Sequence, residues 1–258
     1  MLGSAPMEIS LIPLLSDNYG YLLHDAASRQ TAVVDPSEAA PVLAFAKARG
    51  LKIDFVLNTH HHPDHSGGNL GIKKETGCKI VGPAPDRERI PGIDIALDEG
   101  QSFSLGNEKS DVLFSPGHTK GHIAFHYRAA KAVFCGDTLF SLGCGRMFEG
   151  TPPMMWASLK KLRDLPGDTR VYCGHEYTAS NARFAVSIDP ENAALRRREA
   201  EVAKLRAEGK FTSPSTMAEE RAANPFLRAD QPALQAAAGA PGDPVATFAS
   251  IRKRKDNF

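Results

Sequence analysis

The sequence predicts an α/β body up to about residue 175 with a small helical annex behind it. Three observations lead there. Short apolar runs separated by Gly, Pro and Asp turns fill the first two-thirds of the chain, which is how buried strands read. Four of these runs end alike, at a small or turn-forming residue followed by His or Asp. Beyond His175 the pattern changes to charged stretches of helical character. At 258 residues the chain can hold one large domain or a domain and a half. Its 42% hydrophobic and 24% charged residues are ordinary for a globular protein and exclude wholesale disorder.

Taken in order, residues 9–15 and 31–34 are apolar enough for strands, the second stopped by Asp35-Pro36. Residues 41–49 read as a helix, with Pro41 at its start and Gly50 just past its end. The four recurring runs follow. Phe55-Val56-Leu57 leads into Asn58-Thr59-His60, and Val112-Leu113-Phe114 into Ser115-Pro116-Gly117-His118. Ala132-Val133-Phe134-Cys135 leads into Gly136-Asp137, and Val171-Tyr172-Cys173 into Gly174-His175. If neighbouring strands end at one sheet edge, these side chains converge there. In the annex, residues 191–207 read as a charged helix closed by Gly209, with Arg196-Arg197-Arg198 as a solvated face. Residues 215–223 read as a second helix, with Ser215 its N-cap and Pro225 its stop. The Ala-, Gly- and Pro-rich residues 229–243 read as a connector, and Asp243-Pro244 opens the last helix.

Composition narrows the partners. Lys and Arg total 31 against 30 for Asp and Glu, a net charge of +1, and a protein that wraps nucleic acid is more basic. No apolar run approaches the roughly 20 residues of a membrane helix. Residues 1–10 show neither a secretory signal nor an Arg-rich transit peptide. Cys78, Cys135, Cys144 and Cys173 include no CxxC pair and read as reduced core residues. The expectation is a cytoplasmic monomer that meets neither nucleic acid nor membrane.

The chemistry concentrates in Thr59-His60-His61-His62-Pro63-Asp64-His65. Side chains alternate as a strand runs out, so His60 and His62 point to one side and His61 to the other. Pro63 then turns the chain into a helix, and Asp64 and His65 follow. One short segment thus offers two ligand pairs, His60 with His62 and Asp64 with His65. Imidazole and carboxylate together suit Zn, Fe or Mn. His118, Asp137 and His175 are the further candidates from the strand-end pattern. His122 and His126, at i+4 and i+8 from His118, read as packing residues, with His122 the better placed to support a ligand from behind. His24 reads as incidental.

His60-x-His62-x-Asp64-His65, then His118, Asp137 in Gly-Asp-Thr, and His175 resembles the metallo-β-lactamase superfamily. The closer resemblance is to glyoxalase II, the hydroxyacylglutathione hydrolases, and it covers nearly the whole chain. It is carried by Ser16-Asp17-Asn18-Tyr19, residues 59–68, residues 136–140, Gly143-Cys144-Gly145-Arg146, residues 173–178, Asn224-Pro225-Phe226 and residues 252–256. The six residues before Met7 are extra to that pattern. The resemblance implies an α/β, four-layer αβ/βα metallo-β-lactamase sandwich with a small C-terminal helical domain. Residues 1–175 would be the catalytic domain, and residues 176–258 the helical domain completing a glutathione site. It implies two divalent metal ions per chain, Zn foremost and Fe or Mn as alternatives. One would be held by His60, His62 and His118, the other by Asp64, His65 and His175, with Asp137 bridging them. Asp137 and Asp64 would then hold a metal-bridging hydroxide. Glutathione contacts carry over onto Arg146, Phe148, Tyr177, Arg252 and Lys255. Some members have Lys and Tyr at the positions of Arg146 and Phe148, so here a charge survives and a phenolic hydroxyl is lost.

Two divalent ions about 3.5–4 Å apart can share a water, lower its pKa from about 15.7 toward about 7, and polarise an acyl carbonyl. A thiol of pKa about 8.5 leaves as thiolate, whereas an amide nitrogen needs a placed acid. No general acid stands out beyond the ligands, which is compatible with a thioester. In the last helix Val245, Phe248, Arg252 and Lys255 lie at i, i+3, i+7 and i+10, on one face. Spacing alone fits equally a basic helix end favoured by the dipole and a substrate clasp. Glutathione carries two carboxylates, which Arg takes bidentately and Lys as a point charge, and the resemblance points to the clasp. The reading is hydrolysis of S-(2-hydroxyacyl)glutathione, S-D-lactoylglutathione foremost, to glutathione and a 2-hydroxy acid, in methylglyoxal detoxification. A glutathione-persulfide dioxygenase with a single iron is an alternative, opposed by the complete second ligand set. A metal-dependent nuclease of the same superfamily is opposed by the near-neutral charge. A non-enzymatic metal-binding protein is opposed by the open positions between two metals.

Overall fold

A computed structural model describes residues 7–258; the residues before Met7, and with them much of the segment read for a targeting signal, lie outside the described residues. One compact unit takes in the chain up to Phe114 together with Gly121–Gly136. Its first sheet runs β1 (Glu8–Leu14), β2 (Asn18–Asp25), β3 (Gln30–Val34), β4 (Phe55–Leu57), β5 (Lys79–Pro83) and β6 (Ile95–Leu97), in that spatial order. β1 to β3 pair antiparallel and β3 to β6 parallel. The change follows from the connections. Tight turns join the first three strands. α1 (Ala39–Lys47) carries the chain from β3 to β4, and α2 (Pro63–Ser66) with α3 (Asn69–Thr76) from β4 to β5, the crossovers that parallel pairing needs. Val42, Ala46 and Ile72 of these helices share one buried cluster with Ile12, Val33, Val56 and Ile80 of the strands.

The same unit holds an antiparallel meander, β7 (Ser102–Leu105), β8 (Glu108–Phe114), β9 (Ile123–Tyr127) and β10 (Ala132–Gly136). Every residue of β9 and β10 is buried, so both read as unbroken apolar runs rather than as alternation. Tyr21 of β2 meets Phe134 of β10 with ring centroids 5.5 Å apart, and Phe55 meets Phe103 at 5.1 Å. The two sheets of this unit therefore face each other across aromatic rings.

The other unit is Ser115–Lys120 with Asp137–Phe258. It contains the hairpin β11 (Leu139–Phe140) and β12 (Gly143–Cys144), α4 (Pro152–Arg163), β13 (Arg170–Cys173), α5 (Thr178–Ile188), α6 (Ala193–Ala207), β14 (Ser215–Thr216) paired with β13, α7 (Met217–Ala223), α8 (Pro232–Ala238) and α9 (Pro244–Asp256). The expected strands and the helices 41–49, 191–207 and 244 onward are present within about two residues of their read limits, the usual slack at element ends, except that β8 begins at Glu108, four residues before the run read from Val112.

Four details of the annex differ from the sequence reading. α5 had no charged stripe to mark it. The N-cap of α7 is Thr216, not Ser215: its hydroxyl accepts from Glu219 N, and the Glu219 carboxylate accepts from Thr216 N, a reciprocal capping box. The connector contains α8, opened by Pro232 and closed by Gly239 at φ 71°. Arg198 is buried rather than solvated, because it donates to Thr212 O at 3.1 Å and pairs with Glu201 at 2.9 Å. Among the described residues no helix is long and apolar enough to cross a membrane.

Candidate metal centre

β3 and β4 are parallel neighbours, so their carboxyl ends lie side by side, with Asp35 N donating to Leu57 O at 2.9 Å. In open α/β sheets this edge is where sites form. Asp35 is buried, with φ 47°, a left-handed conformation that Asp tolerates. Its Oδ1 accepts from Thr59 N at 2.8 Å and its Oδ2 from Thr59 Oγ1 at 2.6 Å, while His65 Nδ1 lies 3.3 Å from Oδ2. The single hydroxyl proton of Thr59 is thereby committed, and Oγ1 accepts from His60 Nδ1 at 3.0 Å. These bonds assign the tautomers: His60 and His65 carry their protons on Nδ1 and present a bare Nε2. The sequence reading took Asp35 only as a strand stop. Its place directly after an apolar run, shared with the other site residues, was the signal that could have found it.

His60 and His62 lie on one side, as strand alternation requires, with His60 Nε2 3.2 Å from His62 Nδ1. His61 turns away and its Nδ1 meets the Asp86 carboxylate at 2.9 Å. Asp64, in the first turn of α2, accepts at its backbone carbonyl from Asn18 Nδ2 at 3.0 Å and Ser37 Oγ at 2.5 Å. Its Oδ2 accepts from Asn18 Nδ2 at 3.2 Å and lies 3.5 Å from His65 Nε2. His122 is fully buried and stacks on His60 at 4.8 Å, the supporting place expected for it. Gly136 has φ 45°, and a Cβ there would stand 2.3 Å from Thr59 Oγ1 and 2.8 Å from His122 Nε2, so the residue before Asp137 has to be glycine. His24 bonds Thr31 Oγ1 across the β2–β3 ladder, and His126 is buried in β9 opposite Asp111.

The second unit holds a cluster of its own. Asp137 Oδ2 lies 3.4 Å from His118 Nε2 and 3.3 Å from His175 Nε2, all three residues being buried. His118 Nδ1 donates to Arg146 O at 2.8 Å, so its Nε2 is bare as well. Tyr177 stacks flat on His175 at 4.6 Å and Phe148 stands edge-on to His118 at 5.3 Å, both rings exposed to solvent. Arg146 is exposed and lies 3.5 Å from Asp256. Arg252 is only 4% exposed. Its Nη1 donates to Cys144 O at 2.7 Å and its Nη2 pairs with Asp256 at 3.0 Å. Lys255 is half-buried and donates to Ser180 O at 3.3 Å and Ser180 Oγ at 3.1 Å. Burial, reinforced by Arg252, Arg183 and Arg146, pulls its pKa down to about 8. All four cysteines are buried and in no disulfide, and burial pushes the thiols of Cys144 and Cys173 up to about 11 and about 12, so they remain core thiols.

The donor chemistry fits a cation. A bare imidazole nitrogen repels a carboxylate oxygen unless something positive lies between them. The pairs His65–Asp64 and His118–Asp137 hold that arrangement at 3.5 and 3.4 Å, with each ring's far nitrogen anchored, as metal-binding histidines require. His61→Ala is expected to keep the wild-type metal content by elemental analysis. Its thermal midpoint should fall, because buried Asp86 loses its bond to His61 while keeping the one to Arg89. Metal loss equal to that of His62→Ala would place His61 among the ligands.

Comparison with known proteins agrees with this geometry. The metallo-beta-lactamase superfamily model matches residues 19–175, and the model of the hydroxyacylglutathione hydrolase C-terminus matches residues 176–258. The hydroxyacylglutathione hydrolase of Methylococcus capsulatus is 57% identical over 98% of this chain and 99% of that protein. The crystal structure of ETHE1 from Myxococcus xanthus superposes with a TM-score of 0.69 at 24% identity, over 96% of this chain and 90% of that one. Another crystal structure, of a protein in a di-iron-bound form, gives a TM-score of 0.60 at 25% identity, over 85% of this chain and 99% of that one. The fold is the metallo-β-lactamase fold with a C-terminal helical domain, and its His and Asp clusters bind divalent metal. With both family models matched end to end and a relative this similar over its whole length, the chain belongs to the hydroxyacylglutathione hydrolases of the metallo-β-lactamase superfamily.

Proposed function

We propose that the chain hydrolyses S-(2-hydroxyacyl)glutathione thioesters, S-D-lactoylglutathione foremost, releasing glutathione and a 2-hydroxy acid as a cytoplasmic step of methylglyoxal detoxification. The observation that carries this reading is that exposed Tyr177 and Phe148 pack directly on His175 and His118. A substrate surface thus begins on the candidate ligands themselves. Two ions, zinc foremost, would be held by His60, His62 and His118 on one side and Asp64, His65 and His175 on the other, with Asp137 shared. When bound, such ions supply Lewis acidity toward an acyl oxygen and acidify water. Asp137 and Asp64 are then the carboxylates to which the attacking water donates a hydrogen bond. Arg146 and Lys255 supply positive charge for the peptide carboxylates, and Tyr177 and Phe148 supply ring faces, that of Phe148 without a hydroxyl. Arg252 is the remaining candidate contact, with its guanidinium already engaged by Cys144 O and Asp256. Residues 1–175 form the catalytic domain in this reading and residues 176–258 the helical domain completing the site, in a monomer.

Turnover of lactoylglutathione, measured with elemental analysis of the same preparation, tests the reading. Metal-replete protein that leaves the thioester intact would overturn it, and oxygen uptake with a glutathione persulfide would favour the dioxygenase. A pH dependence is also expected. Lys255 is charged below about 8 and loses its charge above, so KM for lactoylglutathione should rise about tenfold from pH 7 to pH 9 as a charge-assisted contact is lost. Lys255→Arg, which stays charged throughout that range, should flatten the rise in KM. An equal rise in that variant would assign it to another group.

A further inference from the structure

We propose that the helical segment positions the candidate metal ligands through a cradle of buried side chains that grips the backbone of the β11–β12 hairpin, with Asn224 at its centre. The proposal rests on the metallohydrolase reading above. It starts from a problem of backbone polarity. Residues 137–145 are all buried, and the hairpin ladder has only two residue pairs, Leu139 with Cys144 and Phe140 with Gly143. So short a ladder does not hold itself, its turn residue Leu142 sits at φ 58°, and backbone groups out of reach of water need partners.

Side chains of the helical segment supply them. Asn224 Nδ2 donates to Phe140 O at 3.1 Å and Gly143 O at 3.0 Å. Asn181 Nδ2 of α5 donates to Ser141 O at 3.1 Å, and Arg252 of α9 takes Cys144 O at 2.7 Å. Glu220 Oε2 of α7 accepts from Leu142 N at 2.9 Å and from Asn224 Nδ2 at 3.0 Å. The Leu142 side chain enters a buried cluster with Ala182, Ala185, Leu195 and Ala223. All four gripping residues are at least nine-tenths buried.

What the grip controls lies at the two ends of the hairpin. Asp137 leads into β11, and the residue after Gly145 is Arg146, whose carbonyl holds His118 Nδ1 at 2.8 Å. There is no slack between these ends: a Cβ on Gly145 would stand 1.9 Å from Asp137 O and 3.1 Å from His118 Nδ1. A hairpin displaced by a fraction of an ångström therefore carries Asp137 and His118 with it. Directional hydrogen bonds resist such sliding where apolar packing alone would not. Asn181, Glu220, Asn224 and Arg252 are thus positioning residues for the metal cluster.

The test measures Zn2+ affinity by chelator competition, with kcat and KM for lactoylglutathione. Asn224→Ala is expected to lose about 10–100-fold in Zn2+ affinity and a similar factor in kcat, with KM changed less than about threefold. Asn181→Ala, which removes one bond, should lose about 3–10-fold in both, while Glu220→Gln, which keeps an acceptor for Leu142 N, should stay within about threefold of wild type. A folded Asn224→Ala that lowers only the thermal midpoint, with Zn2+ affinity and kcat intact, would overturn the proposal. If Asn224→Ala does not fold, the same outcome in Asn181→Ala overturns it. Wild-type protein that binds Zn2+ but leaves the thioester intact would sink the functional reading alone, and the Zn2+ affinities of the variants would still decide this one.

Discussion

Asp137→Ala is expected to abolish nearly all thioester hydrolysis, by about 10³-fold or more in kcat/KM, roughly 4 kcal/mol of barrier. Elemental analysis should show less than the wild-type metal content. The reason is geometric. Asp137 Oδ2 lies between His118 Nε2 at 3.4 Å and His175 Nε2 at 3.3 Å, and the proposed ligand sets assign those histidines to different ions. In the proposed arrangement both ions would share this carboxylate's charge, so its loss should exceed that of any one histidine. Asp137→Asn separates charge from shape. It keeps the side-chain volume, but brings a neutral amide whose nitrogen donates. Near-normal metal content with strongly reduced kcat in Asp137→Asn would point to the water-holding role. Full metal and normal turnover in Asp137→Ala would remove the residue from the site.

The parts of this arrangement legible in the sequence were the local ones. Alternation over Thr59 to His62 was enough to pair His60 with His62 and to turn His61 away from them; that His61 then meets Asp86 is visible only in the fold. The strand-end positions of His60, Asp137 and His175 followed from the apolar runs before them. Asp35 carried the strand-end signal, but which residues it, Asn18 and Ser37 support was not legible. Their contacts with Thr59, His65 and Asp64 come from strands and turns 24 to 46 residues away, and no local pattern encodes which strands become neighbours. α8 was missed because seven residues rich in alanine make a weak periodic signal beside glycines and prolines that suggest a loop. Arg198 looked solvated because its partner, Thr212 O, belongs to a loop beyond the end of its helix. Arg252 shows the same limit. Its spacing placed it correctly on the buried face of α9, but only the fold reveals that Cys144 O is what it meets there.

That placement divides what α9 does, and two single variants separate the parts. Lys255→Ala is expected to raise KM for lactoylglutathione by one to two decades, since a charge-assisted contact is worth roughly 1.5–3 kcal/mol. Its kcat should be nearly unchanged, because binding lost equally in ground and transition states leaves the chemical step alone. A small thioester without the peptide carboxylates should be hydrolysed as by wild type. Added salt should weaken wild-type binding more than that of the variant. Arg252→Ala is expected to behave differently. Its guanidinium is 4% exposed and holds Cys144 O at 2.7 Å, so truncation leaves a buried carbonyl without that donor and loosens the hairpin that follows Asp137. Thermal stability should fall by about 1–3 kcal/mol, and kcat should drop for the small thioester as well as for lactoylglutathione. A pure KM effect in Arg252→Ala, absent with the small thioester, would return this arginine to the substrate clasp. Unchanged KM in Lys255→Ala would make the basic end of α9 a solvated terminus.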